Sequence, residues 1–146
     1  MVSQKEYAQM SKKASPPSKS WKNIPFAFVI GGLICLLGEV IRNIFLYYNV
    51  SEEAAGSWTS IILVTLSALL TGLGLYEKIA KHAGAGTLVP ITGFSNSISS
   101  SALEAKSEGF ILGVGAKIFT IAGPVILYGT AASVVYGIIY YIIRQF

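Results

Sequence analysis

The side chains able to do polar chemistry are few, and most of them sit inside apolar surroundings. Glu39 and Arg42 stand three apart in a long hydrophobic run, a spacing that lets them pair along one helix face. Asn96, Ser99, Ser100, Leu103 and Glu104 recur at helical spacing, and Lys117 is a solitary cation within the next apolar run. Charges at membrane depth are rare and mark ion or substrate paths by default. A helix starting near residues 94–97 would offer unpaired N–H groups and a positive dipole end to an anion. Thr92, Asn96, Ser99, Glu104 and Lys117 could therefore line a path built from hydroxyls, an amide and a mobile ammonium, weak enough to release what it holds. The plainer alternatives stay open. Glu39 and Arg42 could be an interfacial ion pair with Arg42 snorkelling outward, and Lys117 could snorkel in the same way. His82, the only histidine, stands beside Lys81 and before Gly84, where a polar helix C-terminus is expected rather than a proton relay. The single Cys35 excludes a disulfide or a cysteine metal site within one chain. Neither GxGxxG, GxxxxGK[ST] nor HExxH spacing occurs, and no nucleophile–base pair is visible, so no enzyme activity, cofactor or metal site is expected.

These groups must be positioned by membrane helices. The 146 residues are 53% hydrophobic and 12% charged, with mean hydropathy +0.61, too apolar for an ordinary soluble domain. The net charge of +4 is already present in residues 1–22, where Lys5, Lys12, Lys13, Lys19 and Lys22 face only Glu6. Beside a hydrophobic span, such a patch reads as the positive-inside signal and places the N-terminus in the cytoplasm; a nucleic-acid partner is not expected. The apolar run that follows is too long for a cleavable signal peptide. The chain is read as a basic tail, 1–22, and a transmembrane domain, 23–146, all-α and polytopic. About three full spans are expected, with a Gly/Pro-broken segment that re-enters the bilayer or lies at its interface.

Pro16 and Pro17 lie in the tail, which carries a short amphipathic turn near Tyr7 and Met10 suited to an anionic membrane surface. Trp21 is an interfacial anchor. The first span is placed at about 24–48, with Gly31, Cys35, Gly38, Glu39 and Arg42 on one stripe. A loop at 49–57 carries Glu52 and Glu53, and the second span follows at about 58–76. Its Ser60, Ser67, Thr71, Gly74 and Lys78 share a face on which hydroxyls act as packing glue more often than as ligands. The stretch from 84 to about 123 is the broken module, interrupted by Gly84, Gly86, Pro90 and Gly93, with Ser95 as the N-cap of a short helix. Irregular backbone cannot face lipid alone, so this segment must be buried in protein, line a cavity or lie at the surface. Gly123 and Pro124 are expected to break the last run, leaving a half-helix at 110–122 and a full span at 124–143; one kinked helix is the competing parsing. Gly129, Ser133 and Gly137 form a small-residue ridge that suits a helix–helix seam in a homo- or hetero-oligomer.

The segment Gly84-Ala-Gly-Thr-Leu-Val-Pro90-Ile-Thr-Gly93-Phe-Ser-Asn96-Ser resembles the signature of the SpoVAC/SpoVAEB family of stage V sporulation proteins. Glu104-x-x-x-Glu108-Gly109 and Gly113-Val-Gly-Ala-Lys117-Ile-Phe-Thr-Ile-Ala-Gly123-Pro124 are similar to the same family, and the likeness covers about residues 24–143. Ser95 stands where a small residue, often Ala, is expected. The resemblance implies a subunit of the complex in the inner spore membrane that moves dipicolinic acid, with its calcium, into the forespore and releases it in germination. It also implies channel behaviour that responds to membrane tension. The implied partners are other subunits of the stage V sporulation A complex, among them a paralogous membrane subunit and a soluble dipicolinate-binding subunit. No catalytic motif comes with the resemblance. A structural subunit that anchors soluble partners and conducts nothing remains the alternative.

Overall fold

Capping residues and glycines decide where the apolar runs start and stop. The computed structural model describes residues 3–15 and 19–145; Pro16 and Pro17 lie outside the described residues. Helix α1 (Gln4–Ala14) opens on a capping box, with the Ser3 amide donating to the Glu6 carboxylate and the Glu6 amide to the Ser3 hydroxyl. The bonds from the Ser3 amide and then the Ser3 hydroxyl favour the charged form and hold the Glu6 carboxyl below its usual range.

Helix α2 (Ser20–Tyr47) and helix α3 (Glu52–Gly72) are joined through Asn49, whose φ of 58° is left-handed, a conformation asparagine tolerates better than most residues. The second long helix begins at Glu52 rather than Trp58, so residues 52–57 belong to the helix and not to a loop. Ser51 accepts the Ala54 amide at 3.4 Å, and Glu52 and Glu53 occupy the first turn, where carboxylates meet the positive end of the helix dipole.

Helix α4 (Tyr76–Ala83), the single turn α5 (Ala85–Leu88) and helix α6 (Ile91–Glu104) make up the central module. Gly84, with φ 49° and ψ −121°, ends α4 and opens α5. Pro90 is extended and launches α6, because a residue without an N–H cannot continue the preceding turn. Ser95 and Gly93 consequently lie inside α6; the first caps nothing and the second breaks nothing. A 3-10 turn (Ala105–Glu108), Gly109 at φ 96° and a π-helical turn (Phe110–Gly115) lead into α7 (Ala116–Gln145).

The break expected at Gly123–Pro124 is absent, for Pro124 lies inside α7. Proline removes one backbone bond, and membrane helices tolerate that loss where the apolar run continues on both sides. The chain turns at Gly109 instead. Three helical segments, Ser20–Tyr47, Glu52–Gly72 and Phe110–Gln145, are long and apolar enough to cross a membrane. The described residues contain no strand, so the protein is an all-α polytopic membrane protein.

The packing is small and polar inside, large and apolar outside. Among the described residues the buried non-glycine set is Ala55, Thr59, Ser67, Tyr76, Ala83, Thr87, Thr92, Ser95 and Ala105, whereas Leu33, Leu36, Leu69, Phe110 and Phe119 are exposed. Lipid tails are as apolar as leucine, so burying leucine between helices gains little, and close backbone approach with hydrogen bonds holds them instead. Glycine permits that approach where α5 crosses α2. A Cβ on Gly86 would lie 2.2 Å from the Ala27 carbonyl oxygen, and one on Gly31 would lie 3.1 Å from the Gly86 oxygen.

Candidate functional site

Two polar regions emerge, one a hydrogen-bonded seam and one a charged pocket. In the seam, Ser67 donates to the Thr92 carbonyl at 2.6 Å and Ser95 to the Val64 carbonyl at 2.7 Å. The Thr71 hydroxyl lies 2.8 Å from both its own helix's Ser67 carbonyl and Asn96 Oδ1. Tyr76 donates to the Thr87 carbonyl at 2.8 Å, and its oxygen is 3.2 Å from the Thr92 hydroxyl. Thr92 and Asn96, both read from sequence as lining residues, are thus engaged in helix packing. Beside this network a cavity of about 310 Å³ is walled by Ile30, Ile34, Leu63, Leu70 and Ile79. The polar atoms at its floor already bond one another, so it suits hydrocarbon rather than an ion.

The charged pocket, about 200 Å³, is lined by Ser101, Glu104, Ala105, Glu108 and Lys117. The turn at Gly109 folds the start of α7 back on the end of α6. Its closeness depends on Gly113, where a Cβ would stand 2.2 Å from the Ala105 carbonyl oxygen. Among the described residues the ion pairs are those of Arg42, so the Lys117 ammonium and the two carboxylates share this pocket without closing on each other. Glu104 and Lys117 are brought together, Glu108 joins them, and Ser101 is the member sequence reasoning missed. Its spacing of three from Glu104 was the available signal. Ser99 is half-buried on α6 between the two regions. His82 lies 3.0 Å through Nδ1 from the Lys78 carbonyl of its own helix, a local contact within α4.

Arg42 ties α2 to α3. Its Nη1 is 3.3 Å from Glu39 and its Nη2 is 2.5 Å from Glu52, while Asn43 donates to Glu39 at 3.2 Å. The Glu52 side chain is 79% exposed and that of Glu39 54%. Replacing exposed Glu52 with Gln should cost about 1 kcal/mol or less. Arg42→Gln leaves Glu39 without its counter-charge among apolar neighbours, a larger penalty. Thermal unfolding in detergent should therefore rank Arg42→Gln clearly below Glu52→Gln; equal midpoints would contradict this.

From Pro124 to Gln145, α7 is exposed throughout. A Cβ built on Gly129 or Gly137 meets nothing within 4 Å, so the ridge they form with Ser133 meets no neighbour among the described residues. Tyr136 stacks on Tyr140 at 6.2 Å, with Arg144 over the Tyr140 ring at 5.4 Å.

Long apolar helices, a hydroxyl-bonded central module and a charged pocket at its end define an integral membrane protein of the helical, polytopic class. The family model for SpoVAC/SpoVAEB sporulation membrane proteins matches residues 23–139, and the chain belongs to that family. It is 46% identical over 124 residues to stage V sporulation protein AC of Bacillus subtilis (strain 168), a match covering 84% of this chain and 82% of that relative. No solved structure matches. The protein is accordingly a sporulation membrane protein, and the likeness read from residues 84–124 is shown.

Proposed function

We propose that the protein is a membrane subunit of a channel or transport complex that carries dipicolinic acid, with its calcium, across the inner spore membrane during sporulation and germination, opening under membrane tension. The observation that carries this reading is the pocket of Ser101, Glu104, Glu108 and Lys117 at the foot of an otherwise apolar helix. Two carboxylates and one ammonium give it a formal charge of −1 at neutral pH. Such a pocket repels a free dianion and accepts a chelate in which calcium already neutralises the ligand. Lys117 faces the ligand's carboxylates, and Glu104 and Glu108 face its calcium. The N-terminus lies in the cytoplasm, and α5 with α6 re-enters the bilayer. What supports re-entry is that α6, only 14 residues long, packs beside Val64, Ser67 and Thr71 of a membrane-length helix. Three long helices enclose little volume, so the path is completed by a paralogous membrane subunit, with a soluble dipicolinate-binding subunit as a further partner.

A second reading, a structural subunit that conducts nothing, is favoured by the unpartnered face of α7 at Gly129, Ser133 and Gly137. Lys117→Met separates the two. In the assembled complex it should change dipicolinate flux by about tenfold, the effect of about 1.4 kcal/mol on a barrier, while co-purification of the partners stays unchanged. Unchanged flux with intact assembly removes the pocket from the path and leaves the structural role.

A further inference from the structure

We propose that α1 is an interfacial helix that lies on an anionic lipid surface beside the first membrane-spanning helix, its occupant being the phosphate headgroup layer of the same bilayer. This rests on α2 as a membrane span and not on the transported substrate. The helical register of Gln4–Ala14 gathers Tyr7, Met10 and Ala14 on one face, sets positions 5 and 12 on the opposite face and position 13 on the flank of the apolar stripe, all three being lysine. Tyr7 is 71% and Met10 56% exposed, so the apolar face is not spent on the protein's own core. Helices shorter than about 12 residues are marginal in water even for favourable sequences. The Ser3–Glu6 capping box settles the start of α1, and the apolar stripe is left to a surface outside the chain. A short helix with a basic face and an aromatic on the other lies in the plane of the membrane interface. Charge complementarity selects the surface. Lysines close to an anionic leaflet each strengthen binding about fivefold, and the helix carries three against the single Glu6. The connection holds it there. Residues 15–19 separate α1 from α2, a reach of about 20 Å at full extension, ending next to Trp21, which is 91% exposed and of the type that anchors at the headgroup level.

The test uses the full chain in vesicles of phosphatidylcholine alone or mixed with phosphatidylglycerol. Cys35, the only cysteine, is replaced by alanine, and Met10→Cys carries an environment-sensitive fluorophore. Blue-shifted emission protected from an aqueous quencher is expected in the anionic vesicles. The paired change Lys12→Glu and Lys13→Glu should lower the bound-to-free ratio of α1 at least about twentyfold, the loss of two fivefold contributions. Salt at about 1 M, where the screening length is about 3 Å, should do the same with the lysines in place, which guards against a variant that merely unfolds α1. Equal emission in neutral and anionic vesicles, or insensitivity to charge reversal and salt, overturns the proposal. Protection that arises only when a protein partner is added also overturns it and makes α1 a protein-docking helix.

Discussion

A Gly86→Ala variant is expected to yield little folded protein in mild detergent, and what remains should unfold well below the parent. The added Cβ would lie 2.2 Å from the Ala27 carbonyl oxygen and 2.9 Å from its carbon. These are backbone atoms of α2, which cannot swing aside as a long side chain can. Overpacking a close contact costs about 1–3 kcal/mol and sometimes more, and here relief requires α5 to move away from α2. That movement would loosen Tyr76, which holds the Thr87 carbonyl one residue on. Gly129→Ala is the matched control, because nothing lies within 4 Å of its Cβ position. Size-exclusion recovery and thermal midpoints of the two variants decide the matter; equal behaviour would show that α5 does not approach α2 as described.

Ser67 supports the second large effect. It is 1% exposed and donates to the Thr92 carbonyl at 2.6 Å, at the centre of the α3–α6 seam. Ser67→Ala removes the hydroxyl alone, and interhelical bonds of this kind in membranes contribute about 0.6 kcal/mol on average, up to about 1.7. Ser67→Leu also forces a large side chain between two closely packed helices, for a total of about 3 kcal/mol or more. A graded fall in unfolding temperature, small for Ala and large for Leu, is expected. If leucine were as mild as alanine, the seam would be looser than its distances imply. If alanine alone abolished flux with assembly intact, Ser67 would belong to the path rather than the packing.

The sequence made the class of fold legible for a simple physical reason. Runs such as residues 24–48 are too apolar and too long for anything except membrane helices, and hydropathy reads that directly. Its account of α3 was less accurate, because Glu52 and Glu53 looked like loop residues although a serine followed by two acids is a helix start. Pro124 misleads for a related reason. Its local cost was visible, whereas the support of the apolar run on either side is a property of the whole helix. For the candidate site, composition exposed Lys117 and Glu104 as polar residues near membrane-length helices. Their meeting depends on the fold-back at Gly109 and on the tight contact at Gly113, which no helical periodicity reveals. Thr92 and Asn96 were equally conspicuous in sequence. Whether a hydroxyl or an amide in a membrane helix serves a partner helix or a permeant ion is settled by which helix lies opposite, and that is tertiary information.

The π-helical turn at Phe110–Gly115 acts as a phase setter for everything that follows it. A π turn accommodates one more residue than an α turn, and one residue of α-helix corresponds to about 100° of rotation. The azimuth of α7, and with it the bearing of Lys117, therefore follows the count of residues between Gly109 and Ala116, while Gly113 sets how closely the turn approaches Ala105. Shortening that interval by one would turn the lysine away from Glu104 and Glu108 while altering no side chain of the pocket. In this protein a single unit of chain length, spent in one turn, aims a charge.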